Sequence, residues 1–135
     1  MNSILALPRS VAILAVIALA SLTALPSQAS AAYEYEAAYY SYYGYLYSYY
    51  AAVYEDVYAD DYHYMANYFG QYSYYYSNLS YTDNDPTYMY YGYQYSGFAY
   101  SYEYQAYVLH GGTYTNYAAE AFRSALAYGY ISYEE

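Results

Sequence analysis

The sequence predicts a small, low-complexity α+β domain behind an N-terminal signal helix. Three observations predict it. Tyrosines alternate with other residues in two stretches, which is the period of a β-strand. Over about 50–69 the larger residues recur at the helical period. Near the C-terminus an alanine-rich segment ends in glycine, as helices commonly do.

Residues 1–31 have the layout of a secretory signal peptide. A short start carries Arg9, Val11–Leu25 is apolar apart from Ser21 and Thr23, and Pro26 breaks the run. Ala29-Ser30-Ala31 then supplies a small-residue cleavage pattern. The apolar run is shorter than the ~20 residues of a membrane span, so no stable span is expected after cleavage. Residues 32–135 read as a single unit.

In 32–49, Tyr43, Tyr45, Tyr47 and Tyr49 alternate and would line one strand face, with Gly44, Leu46 and Ser48 on the other. Disorder competes with that reading in so simple a segment. Over about 50–69, Tyr50, Val53, Tyr54, Val57, Tyr58, Tyr64, Met65 and Tyr68 share one helical stripe that Asp61 interrupts, and Gly70 is the expected stop. Asp83-Asn84-Asp85-Pro86 is the densest turn signal.

Over about 88–107 the expectation is an aromatic β-hairpin turning at Ser96-Gly97. Tyr95 would face Phe98, Tyr93 would face Tyr100, and Tyr91 would face Tyr102, all on one side. His110-Gly111-Gly112 breaks the run. A C-terminal helix over about 117–128 follows, with Asn116 as N-cap and Gly129 as C-cap. Residues 42–48 recur almost unchanged as 90–96, differing only where Leu46 becomes Gln94.

Composition narrows function. All 34 tyrosines lie at or after Tyr33, about a third of the chain beyond the signal segment. Twelve acids face one base there, Arg123, with no lysine. Such a chain repels nucleic acid and attracts calcium or basic surfaces. No cysteine is available for disulfides or thiolate chemistry. Aliphatic residues are few, so rings must supply much of the burial, and so many hydroxyls cannot all be buried with partners.

Site chemistry is sparse. Asp60 and Asp61, and Asp83 and Asp85, offer hard oxygen ligands for calcium, but neither pair completes an EF-hand pattern. His63 lies near Asp60. A solvated helix face and an ordinary turn are the stronger readings of these residues, so no metal site and no cofactor are expected. No nucleophile-elbow serine, phosphate loop or His-Glu-x-x-His occurs, and no enzyme is expected. Asn78-Leu79-Ser80 fits a glycosylation acceptor.

The composition is similar in kind to tyrosine-rich extracellular structural proteins, such as those hardened in eggshells and cell walls. The likeness is one of composition and carries over no residue. The expected function is that of a secreted, extracellular or cell-surface structural protein. It would self-associate as a homo-oligomer or filament through Tyr43, Tyr45, Tyr47, Tyr49, Tyr91, Tyr93, Tyr95, Phe98, Tyr100 and Tyr102, with dityrosine links as hardening. The alternative is an extracellular binding module whose tyrosine faces stack on glycans. A third reading is an electron-hopping or metal-handling chain of tyrosines near carboxylates, which requires rings held at short, fixed spacing.

Overall fold

A computed structural model describes residues 32–134. The expected signal peptide, 1–31, lies outside them. Four helices follow one another: α1 (Ala32–Tyr54), α2 (Asp60–Asp83), α3 (Thr87–His110) and α4 (Thr113–Glu134). No strand occurs among the described residues. Each helix packs on its neighbours in the order α1, α2, α3, α4 and back to α1, while the diagonal pairs barely meet. Short connections force antiparallel neighbours, and the result is an up-down-up-down four-helix bundle.

The connections are written in local chemistry. Between α1 and α2, Asp56 Oδ1 accepts the Tyr58 N–H at 3.0 Å and starts a 3₁₀ turn, Val57–Ala59. Asn84 ends α2 in the left-handed region at φ 54°, and Asp85 Oδ1 accepts the Thr87 N–H at 3.0 Å to start α3. The expected Asp83–Pro86 turn is therefore in place. Gly111 and Gly112, at φ 69° and 113°, make the last turn in conformations that favour glycine.

The α+β expectation is overturned, and the small residues explain why. Buried positions include Ala37, Ser41, Gly44, Ser48, Ala51 on α1 and His63, Ala66, Gly70, Ser73, Ser77, Ser80 on α2. On α3 they include Met89, Gly92, Ser96, Ala99, Glu103, Ala106, and on α4 Thr115, Ala118, Phe122, Ala125, Gly129, Ser132. Steps of three and four alternate in every case, which is the heptad seam of packed helices. The tyrosine alternation is a by-product. Residues two apart on a helix point to widely separated directions, so Tyr43, Tyr45, Tyr47 and Tyr49 flank the Gly44–Ser48 seam instead of sharing a face. The same holds for 88–107, where a helix satisfies its own backbone and a lone hairpin does not.

Other boundaries move for the same reason. The expected helix over 50–69 is two helices, broken at 55–59. Gly70 is no stop: it lies inside α2, where an added Cβ would fall 2.6 Å from Phe122 Cζ. Gly129 lies within α4 against Tyr93, and α4 begins before Asn116. Residues 32–49 belong to α1. The near-repeat is structural in effect, placing Gly44 and Ser48, and Gly92 and Ser96, on equivalent seam positions.

The core is thin. Phe122, Met89 and Leu126 are its largest fully buried apolar side chains. Phe122 alone contributes roughly 1.5–3 kcal/mol through burial. Between helices, serine hydroxyls replace hydrocarbon. Ser41 Oγ lies 2.8 Å from Ser73 Oγ and donates to Ala37 O at 2.7 Å. Ser73 also bonds Ser96 Oγ and reaches Gly92 O at 2.9 Å. These buried hydroxyls are satisfied, as a tight interior requires.

Candidate functional site

Small seams push the large side chains outward. About half of the 34 tyrosines are exposed, and only Tyr62, Tyr93 and Tyr102 are buried. The ten predicted association residues all sit on helices and divide between flanks. On α1, Tyr43 and Tyr47 lie toward α4, where Tyr47 meets Tyr117 at 5.4 Å, while Tyr45 meets Tyr74 of α2 at 5.9 Å. Tyr49 is exposed.

The α3 set divides likewise. Tyr91 and Tyr95 pack on Tyr76 of α2, and Phe98 and Tyr102 on Phe69. Tyr93 turns to Tyr130 and Tyr133 of α4. Tyr100 pairs with Tyr104 and feels the charge of Arg123. Burial raises the phenol pKa of Tyr45, Tyr62, Tyr93, Tyr100 and Tyr102 above the usual value.

Sequence reasoning missed a longer feature. Tyr35, Tyr39, Tyr43, Tyr47, Tyr50 and Tyr54 form one file along α1, with centroid separations of 6.2, 4.8, 6.1, 6.3 and 6.3 Å. Their three- and four-residue spacing was the available signal. Two grooves flank α1, and only the first includes rings of this file. One of about 380 Å³ between α1 and α4 includes Tyr43, Tyr47, Tyr117 and Glu120. Another of about 500 Å³ between α1 and α2 is lined by Tyr45, Tyr68, Gln71, Tyr72, Tyr74, Tyr75 and Asn78.

A buried polar relay closes the α1–α2 loop end. His63 Nδ1 lies 2.8 Å from Glu103 Oε1, and His63 Nε2 lies 3.4 Å from Thr115 Oγ1. Thr115 Oγ1 donates to Glu55 Oε1 at 2.8 Å. Glu55 also accepts the N–H groups of Tyr114 and Thr115 at 2.8 and 2.9 Å, which caps α4 with negative charge where its dipole favours it. Desolvation pushes the Glu103 carboxyl above the usual range, and His63 offsets only part of that.

The order threonine, histidine, glutamate has the connectivity of a nucleophile, base and orienter. Its geometry argues for a structural role. His63, Glu103 and Thr115 are buried, and the threonine proton points to Glu55 instead of His63. Glu103 was findable in sequence, because it occupies a seam position between Ala99 and Ala106.

The acids do not gather. Asp60 and Asp61 begin α2 and Asp83 ends it, about 33 Å along the helix at 1.5 Å per residue. Asp85 is engaged in the α3 start. Among the described residues, no group of three or more His, Asp or Glu side chains is arranged to hold a metal ion. His110 Nδ1 instead meets Asp56 Oδ2 at 3.1 Å. No described helix is long and apolar enough to cross a membrane. Comparison with protein-family models, curated proteins and solved structures finds no match.

Proposed function

We propose that this chain is a secreted structural or surface protein that associates through tyrosine-covered helix faces and is then hardened by dityrosine links. The outward placement of about half its tyrosines supports this reading most. Aromatic surface of that extent usually marks an interaction face. Exposed rings occur on all four helices, so contacts can spread instead of closing on a single dimer. Acids scattered over the surface keep bundles apart until pH, calcium or a basic partner reduces their charge.

Hardening needs a peroxidase-class oxidant. Two phenols each give up one electron and one proton, and one hydrogen peroxide is reduced to two waters. The two phenoxyl radicals join through one ortho carbon–carbon bond. The two displaced ortho hydrogens move to the oxygens and restore the aromatic rings.

Light scattering tests the association step. Scattering should rise as pH falls from neutrality toward the isoelectric point near 4.1. It should rise less in a Tyr39→Ser/Tyr42→Ser/Tyr75→Ser variant, which removes three exposed rings. Flat scattering over the whole range contradicts the proposal. The groove of about 500 Å³ favours a second reading, since its rings and its Gln71 and Asn78 amides suit stacking and hydrogen bonding to a glycan. A persistent monomer that binds oligosaccharide would favour that reading.

A further inference from the structure

The α1 file holds six phenols in sequence, none more than 6.3 Å from the next between ring centroids. From Tyr35 to Tyr54 it covers about 28 Å of helix. It extends to Tyr81 of α2 at one end, 5.6 Å from Tyr35, and to Tyr114 of α4 at the other, 6.2 Å from Tyr54. Its ring contacts bridge the two halves at Tyr43–Tyr47. The chain has no cysteine and no tryptophan to intercept an oxidising equivalent. Tyr35, Tyr39 and Tyr54 are exposed, and Tyr43, Tyr47 and Tyr50 partly so, which gives their phenolic protons access to water.

We propose that this file conducts an oxidising equivalent along the bundle, one phenoxyl radical at a time. A one-electron oxidant at one end takes an electron from the first phenol, whose proton passes to water. In each later step the radical takes an electron from the next phenol and regains a proton from water, and that phenol releases its own proton. Every step exchanges one radical for one phenol, with no net change but position. Radicals made at one end then reach coupling partners at the other. The relay operates within a single bundle and does not depend on association.

The experiment uses dilute protein carrying Val53→Cys, an exposed site and the only cysteine, labelled with a ruthenium polypyridyl photo-oxidant. 3-Aminotyrosine replaces Tyr81 as a more easily oxidised trap. After flash-quench oxidation, the aminotyrosyl radical should form. Tyr43→Phe or Tyr47→Phe should reduce it to background, because each keeps the ring and removes only the oxidisable hydroxyl. Tyr64→Phe, an exposed ring outside the file, should leave it unchanged. Far-UV dichroism checks that each variant keeps its helices, and the two blocks fail or fold independently. An undiminished trap signal in a folded blocked variant overturns the proposal, as does the absence of any trap radical without a block.

Discussion

The ring of Phe122 in α4 lies directly on the backbone of Gly44 in α1: a Cβ built there would fall 2.5 Å from both Cδ1 and Cε1. Gly70 of α2 receives the same ring from another side, with its Cβ position 2.6 Å from Cζ. Gly97 differs, since its nearest neighbour would be Leu126 Cδ1 at an ordinary 3.7 Å. Gly44→Ala should therefore destabilise by about 1–3 kcal/mol through overpacking. Gly97→Ala should stabilise by roughly 0.5–1 kcal/mol, because glycine is a poor interior helix residue. Urea denaturation of both variants measures the contrast, and equal effects would contradict this packing.

Glu55 holds the start of α4 through three hydrogen bonds, two from backbone N–H groups and one from Thr115. Glu55→Ala should cost about 0.5–2 kcal/mol, the usual range for a lost helix cap. Thermal melts give the value, and an unchanged melting temperature would show the cap to be idle.

Alkaline pH should unfold the bundle. Burial places several phenols, including Tyr62, Tyr93 and Tyr102, above the ordinary value of 10.0. A folded pKa above the unfolded one contributes stability below pH 10, and that stability is lost as pH rises through the folded values. Tyrosinate absorbance from the buried phenols and helical dichroism should change together above about pH 10. Complete ionisation with intact helices would contradict the burial.

Glu103 makes the complementary prediction in acid. Its folded pKa is raised from 4.5, so its contribution is present below 4.5 and lost as pH rises through the folded value. Between neutrality and 4.5, wild type should gain stability relative to Glu103→Gln as pH falls. Glu34, also raised by burial, leaves the variant with a smaller slope of the same sign. Parallel stability curves for the two proteins would remove Glu103 as a cause.

The alternation of Tyr43, Tyr45, Tyr47 and Tyr49 pointed to strands because rings dominate any reading by hydrophobicity. The fold is carried by what lies between them. Gly44 and Ser48, with Ala37, Ser41 and Ala51, hold the heptad period, and four such seams pack at close range. The turn at Asp83–Pro86 and the break at Gly111–Gly112 were legible because they depend on local backbone chemistry. The seam position of Glu103 was legible too, but its meeting with Glu55, His63 and Thr115 was not, since the α1–α2 connection, α2, α3 and α4 have to come together before the four can meet. The aromatic surface was legible as composition, but its division into flanks needed the helix.

Sedimentation velocity, before and after treatment with peroxidase and hydrogen peroxide and with dityrosine emission read alongside, tests the central claim most directly. A tyrosine-clad bundle that associates and hardens should grow into large species, and dityrosine emission should grow with them. An unchanged, sharp monomer without emission would contradict that account and direct attention to the groove beside Tyr74 as a ligand site.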